Sequence, residues 1–275
     1  MSDLLEGQGI MIFCEYQKKE VPLFLPFGGG VNSTAMILGA LERGIEIDFI
    51  CFADTGGEHP ETYAWIETLN QWLKENHNLE IHIARCVYKG KVTSLEDFAV
   101  SYKSLPSLAY GFKSCSLKFK AEPSDKLFIS KYKDWMKETG LKPVKWIGYD
   151  LDEEHRYKNR QKEYAKFVLE FPLIEWGLDR EGCKDLIKKH EFEPPKKSAC
   201  FFCPASKKHE IEWLAENHPD LFERACAMER NAELRTVKGL GRSFSWAEYM
   251  KYRRQQPSLK DYFIETVQEP CECKN

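Results

Sequence analysis

Between residues 20 and 86 the period of apolar positions changes repeatedly. VPLFLPF is an apolar run of strand length, and VNSTAMILGALERG places its apolar residues at helical spacing. IEIDFICFAD returns to a strand, ETYAWIETLNQWLKENH to a helix, and LEIHIARC to a third strand. A β-α-β-α-β order predicts an α/β fold with a doubly wound parallel sheet. The punctuation agrees, because Gly44 follows the first helix and Pro60 opens the second. After a helical stretch near 120–138, VKWIG (144–148) and KFVLEF (166–171) read as later strands. Beyond about residue 172 the pattern breaks into short helical pieces at Pro194-Pro195, Pro204, Pro219 and Gly239 to Gly241. The expected division is therefore an N-terminal extension (1–19), an α/β domain (20–175), a helical portion carrying a cysteine site (176–265) and a mobile tail (266–275).

Composition adds exclusions. The 275 residues are 43% hydrophobic, and 40 basic against 43 acidic side chains leave a net charge of -3, which fits a soluble protein with a full core. No apolar run reaches the roughly 18 residues of a membrane span, and the start lacks the order of a signal peptide, so a cytoplasmic protein without a membrane partner is expected. The balanced charge argues against a protein that coats nucleic acid and leaves nucleic acid open as a substrate. Ten cysteines at uneven spacing fall below a disulfide scaffold and read as thiols or metal ligands in a reducing compartment.

Two loops carry the candidate chemistry. Phe27 to Thr34 (FGGGVNST) lies between a strand and a helix. Gly28, Gly29 and Gly30 let backbone N–H groups approach a phosphate, the helix N-terminus adds its dipole, and Asn32, Ser33 and Thr34 add side-chain partners. The plainer alternative is a glycine turn with an ordinary helix cap. The second loop, Asp54-Thr55-Gly56-Gly57-Glu58-His59-Pro60-Glu61-Thr62-Tyr63, follows the next strand. In open parallel sheets ligands bind outside the carboxyl ends of the strands, so the two loops should face one another.

The glycine loop resembles the PP-loop of the adenine-nucleotide alpha-hydrolase superfamily, and ADTGGEHPETY is similar to the matching segment of phosphoadenylylsulfate (PAPS) reductases and their relatives. Ile147 to Arg156 (IGYDLDEEHR) and Cys115 to Pro123 (CSLKFKAEP) resemble two further family segments, in the family's order. The resemblance implies that Gly28, Gly29, Gly30, Asn32, Ser33 and Thr34 hold the phosphates of ATP, that Asp54, Thr55 and Gly56 line the nucleotide, and that Gly148, Glu153 and Arg156 close the site. Asp54, Glu153 and Arg156 are the implied catalytic set, with Mg2+ bridging the phosphates. Arg156 suits charge developing on a phosphate, and a surface ion pair with Asp152 or Glu153 is its plain alternative. Gly28 stands where many PP-loops have Ser, and Asn32 where ATP-cleaving members often have Asp.

Cys200-Phe-Phe-Cys203 can supply two thiolates to one metal or cluster. The family segment adds Cys115, and family resemblance favours Cys183 over Cys226 as the fourth ligand of a 4Fe-4S cluster, with zinc as the lesser alternative. Cys14, Cys51 and Cys86 lie in apolar runs and read as small buried hydrophobes. In the tail, Cys271 and Cys273 partly resemble the Glu-Cys-Gly motif of PAPS reductases. Lys113, Lys118, Lys120 and Lys126, with Lys196, Lys197, Lys207 and Lys208, offer a basic rim or a solvated lysine face. The resemblance implies an ATP pyrophosphatase that adenylates an acceptor oxygen for sulfur insertion, as in DNA phosphorothioation systems of the Dnd and Ssp kind, with a cysteine desulfurase as sulfur donor and nucleic acid as acceptor. Sulfonucleotide reduction by a tail cysteine, tRNA thiolation and a non-catalytic nucleotide switch are the alternatives.

Overall fold

A computed structural model describes residues 21–106, 114–158 and 166–255. The N-terminal extension with Cys14, the tail with Cys271 and Cys273, and Lys113 lie outside the described residues. The first half runs β1 (Leu23–Phe27), α1 (Val31–Glu42), β2 (Phe49–Asp54), α2 (Pro60–His77), β3 (Ile81–Arg85), a hairpin of β4 (Val87–Tyr88) and β5 (Lys91–Val92), and α3 (Leu95–Ser101). It continues through α4 (Ser114–Ser116), a π turn (Leu117–Ala121), α5 (Glu122–Thr139), β6 (Val144–Trp146), a 3-10 turn (Leu151–Glu153), α6 (Glu154–Lys158) and β7 (Val168–Glu170). Then come α7 (Pro172–Glu175), α8 (Arg180–Lys189), α9 (Lys208–Asn217), α10 (Pro219–Asn231) and α11 (Trp246–Gln255).

The main sheet is parallel, in the order β3-β2-β1-β6-β7. Helices cover both faces, as in a doubly wound α/β fold. On one face α1, α2 and α8 pack Ile37, Leu69 and Ile187 against Leu25, Ile50 and Trp146. On the other, Phe24 and Phe49 meet Phe128 of α5, with Phe24 and Phe128 stacked at 4.8 Å. β1 is apolar throughout because it is the central strand, covered on both sides. β2 starts at Phe49, short of the whole IEIDFICFAD run, and Asp48 Oδ2 instead accepts the Leu23 N–H at 2.6 Å. The hairpin turns on Lys89 and Gly90, both at positive φ.

A third core joins α3 and Phe119 of the π turn to Phe201, Phe202, α9, α10 and α11. Buried Glu229 organises it by accepting the N–H groups of Leu240 at 2.6 Å and Trp246 at 2.9 Å. α8, although beyond residue 175, packs on α1 and gives Cys183, Leu186 and Ile187 to the sheet-side core. Among the described residues no helix is long and apolar enough to cross a membrane.

Candidate functional site

The chain leaves β1 through Gly28, Gly29 and Gly30 and enters α1 directly. Gly29 has φ +72°, and a Cβ there would stand 2.9 Å from Thr62 Cγ2, so both conformation and space demand glycine. α1 begins at Gly30 without a side-chain cap and without an acidic residue in its first turn. Its first N–H groups are therefore open to an anion. The Gly28 N–H donates to Ser33 Oγ at 3.1 Å, and the Ser33 hydroxyl donates to the Gly30 carbonyl at 3.1 Å, which ties the loop into a ring. Thr34 is fully buried; its hydroxyl donates to the Gly30 carbonyl and accepts from Trp65 Nε1, so it braces the turn from within.

Asn32 reaches across the sheet crossover. Its Nδ2 donates to the Gly148 carbonyl at 3.1 Å and to Asp150 Oδ2 at 2.9 Å, and its Oδ1 accepts from Arg180 Nη1 at 2.6 Å. Asp150, nearly fully buried, also accepts the Glu153 N–H and so caps the 3-10 turn. Glu153 at the end of the 3-10 turn and the half-exposed Arg156 of α6 form an ion pair, with the Arg156 guanidinium 4.4 Å from the Tyr149 ring centre. Among the described residues, no hydrogen bond or ion pair joins their side chains to the glycine loop.

The crossover lies between β1 and β6, where the strand order reverses. A cavity of about 240 Å³ opens there, lined by Gly28, Ala53, Ser116, Lys120, Lys145 and Gly148 among others. Lys145 pairs with Asp125, and Lys120 Nζ donates to Glu58 Oε1 at 2.6 Å. Burial works against the charge on Lys120, but the Glu58 carboxylate outweighs it and raises its pKa above the ordinary lysine value. Lys120 thus remains a cation on the wall of the cavity.

Asp54 at the end of β2 accepts the Gly56 N–H and the Tyr63 hydroxyl, both at 2.8 Å, and Arg85 Nε at 3.0 Å. Burial opposes its ionisation, yet these three donors hold the carboxyl below its usual range. Gly56 has φ +73°, and a Cβ there would meet Ser94 Cβ at 2.7 Å. Thr55 turns away from the cavity: its Oγ1 lies 3.2 Å from both Glu58 Oε1 and Cys200 Sγ. The two loops do meet through Gly29 and Thr62, but Thr55 serves the cysteine side.

Cys115, Cys200 and Cys203 lie in the third core. Burial pushes the Cys200 thiol up to about 12, helped by Glu58 and opposed by Lys120; Cys115 is also raised, by burial and then by Cys203. Cys183 is elsewhere, fully buried in the sheet-side core against α1, and pushed up to about 12 by burial and then by Asp150. Its place on the apolar stripe of α8 fixes this. Cys226 shares the third core, but its thiol faces Glu229 and Glu223. Among the described residues no three His, Cys, Asp or Glu side chains converge as a metal site. Of the four cysteines, Cys183 packs in the sheet-side core and Cys115, Cys200 and Cys203 in the third. Cys51 and Cys86 are buried, as small hydrophobes are. Of the lysine rim, Lys120, Lys126 and Lys197 pair with carboxylates, while Lys118 and Lys208 lie over aromatic rings.

Arg180 and Lys145 escaped the sequence reading, and Glu58 stood inside the second loop without a role assigned to it. A lysine inside the VKWIG strand is the one local signal among them, since a charge in a buried strand requires a partner.

No family profile matches the chain. It is 25% identical over 221 residues to an uncharacterized protein of Methanocaldococcus jannaschii; the match takes in 76% of this chain and 42% of that protein, so the chain spans well under half of the relative's length. Among solved structures it is similar to the U34-tRNA thiolase NcsA from Methanococcus maripaludis with its 4Fe-4S cluster, at TM-score 0.41 and 17% identity over 78% of this chain and 73% of that one.

Proposed function

We propose that the chain is an ATP pyrophosphatase that joins AMP to an acceptor oxygen and so prepares that position for sulfur. One observation carries the reading: the uncapped first turn of α1 opens beside a cavity at the sheet crossover, with Lys120 and Lys145 on its wall and Arg180 held against Asn32. Unpaired N–H groups and fixed cations favour a polyphosphate. Magnesium on the ATP phosphates would supply further counter-charge.

In this reading the glycine loop and α1 bind the triphosphate, and Arg180 is positioned by Asn32 beside it. The acceptor oxygen attacks the α-phosphorus, the bond to the bridging oxygen breaks, and pyrophosphate leaves with the electron pair. The terminal sulfur of a desulfurase-derived persulfide then displaces AMP, which departs with the acceptor's oxygen, and an external dithiol reduces the resulting S–S bond to leave one sulfur on the acceptor and return the carrier thiol. The acceptor is a nucleic acid, with a DNA backbone oxygen, as in phosphorothioation, the first to test and a tRNA base oxygen the second. A 4Fe-4S cluster or zinc on Cys115, Cys200 and Cys203 would require their side chains to turn toward a common point.

The test incubates anaerobically purified protein with magnesium-ATP, DNA or tRNA, and sulfide as the sulfur source, and measures pyrophosphate and AMP. Equal amounts of the two products, lost in Arg180→Ala, support the reading. Absence of turnover, with sulfite released instead from a sulfonucleotide and thioredoxin, contradicts it.

A further inference from the structure

A second cavity, of about 340 Å³, lies between the start of α2 and α9, outside the nucleotide cleft. Its volume falls in the roughly 300–1,000 Å³ range of small-ligand pockets. The walls are aromatic: Trp213 of α9, Trp246 of α11, Phe201 and His59, with His59 and Trp213 edge to face at 5.8 Å. Trp246 is 1% exposed and its Nε1 has no hydrogen-bond partner. Two further lining residues also carry a buried polar atom without a partner, His59 Nδ1 and Glu61 Oε2. A buried polar atom left unpaired loses its hydration without compensation. Three of them around one aromatic cavity describe a site completed by a flat molecule that brings both donors and an acceptor.

The position of the cavity narrows the choice. Thr62 lines it and also lies beneath Gly29, while Ser198, between the lining residues Lys197 and Ala199, lies under Gly30. The glycine loop is thus shared by the nucleotide cleft on one side and this cavity on the other. Lys196 stands at its edge, 4.7 Å from the Trp213 ring centre, where a backbone phosphate would pass. We propose that this cavity takes one unpaired base of the acceptor strand, and that the base is guanine. Glu61 Oε1 is already paired with His218 Nε2 at 3.0 Å and lies 3.8 Å from Lys196 Nζ, so its unpartnered Oε2 accepts the guanine N1–H, while the base's O6 accepts the Trp246 N–H and its flat face meets Trp213. The inference rests on the nucleic-acid acceptor proposed above and names how that acceptor is held.

The test uses short fluorescein-labelled single strands of thymidine with either one central guanine or one abasic position, followed by anisotropy. The guanine strand should bind at least ~10-fold more tightly, the scale of a stacked base. Trp213→Ala and the isosteric Glu61→Gln should erase that preference, and Trp246→Phe, which keeps a ring and removes the donor, should reduce it in part. Magnesium-ATP affinity should stay unchanged in all three. Equal affinity for both strands in the wild-type protein overturns the inference, as does competition of the guanine strand by ATP, which would assign the cavity to adenine. A guanine preference in a protein that does not cleave ATP would leave this site standing and remove the pyrophosphatase reading. ATP cleavage without the preference would do the reverse.

Discussion

Around the glycine loop, polar side chains satisfy one another: Ser33 closes the turn, Asn32 ties α1 to Gly148, Asp150 and Arg180, and Asp54 takes three donors. At the seam with the C-terminal helices they do not. Among the described residues, the buried side-chain polar atoms without a partner belong to Glu58, His59, Glu61 and Trp246, all on that seam. The sheet half is preorganised, with its open donors confined to the first turn of α1. The seam between the halves, built from the β2–α2 connection on one side and Trp246 on the other, holds the polar groups that a further molecule would complete. Fixed polar groups suit charge stabilisation at a reacting phosphate, whereas unfilled ones suit recognition of something that arrives.

The sharpest way to break this contrast is at Gly29. Gly29→Val adds a branched side chain at positive φ against Thr62, for a cost of about 3 kcal/mol and about a 100-fold loss in ATP affinity. Isothermal titration calorimetry measures the affinity, and circular dichroism confirms that the sheet persists. Lys120→Met comes next, since it strands the Glu58 carboxylate in the seam. A fully buried pair would cost 3–5 kcal/mol, but 34% of the Lys120 side chain is exposed, so about 2 kcal/mol is expected in urea unfolding.

Cys183→Ser separates the two cores. It places a hydroxyl in the sheet-side core at about 1.5 kcal/mol, read as a lower Tm, while iron and zinc content should match the wild type because Cys183 is remote from Cys115, Cys200 and Cys203. The smallest effect is a pH dependence. His59 is held below its ordinary 6.5 by burial first and by His218, against Glu61, Glu58 and Glu210. Its neutral form is the stable one, so its contribution is full above about pH 6.5 and lost as pH falls below that value. His59→Gln should flatten the fall in stability below about pH 6.5, read as a smaller drop in Tm on acidification.

Much of the sheet half was legible because its signals are local. Apolar runs bounded by glycine and proline marked the succession of strands and helices along the chain, and Pro60 marked the first residue of α2. The glycine loop was legible for the same reason, as three glycines between a strand and a helix. What escaped depends on distant partners. Arg180 meets Asn32 from 148 residues away, and Lys120 meets Glu58 across 62. Nothing near Gly56 in the sequence signals that Ser94 will press on it, nor does the α8 pattern announce that Cys183 faces α1 while the CxxC turn faces α3 and α9. Helical periodicity states which face is buried and leaves open against what.

The most direct measurement is a crystal structure with magnesium and α,β-methylene-ATP. The triphosphate should lie on the open N–H groups of the first turn of α1 and reach Lys120 and Lys145 in the cavity between β1, β2 and β6. A nucleotide found instead among His59, Trp213 and Trp246, with the glycine loop empty, would contradict the account.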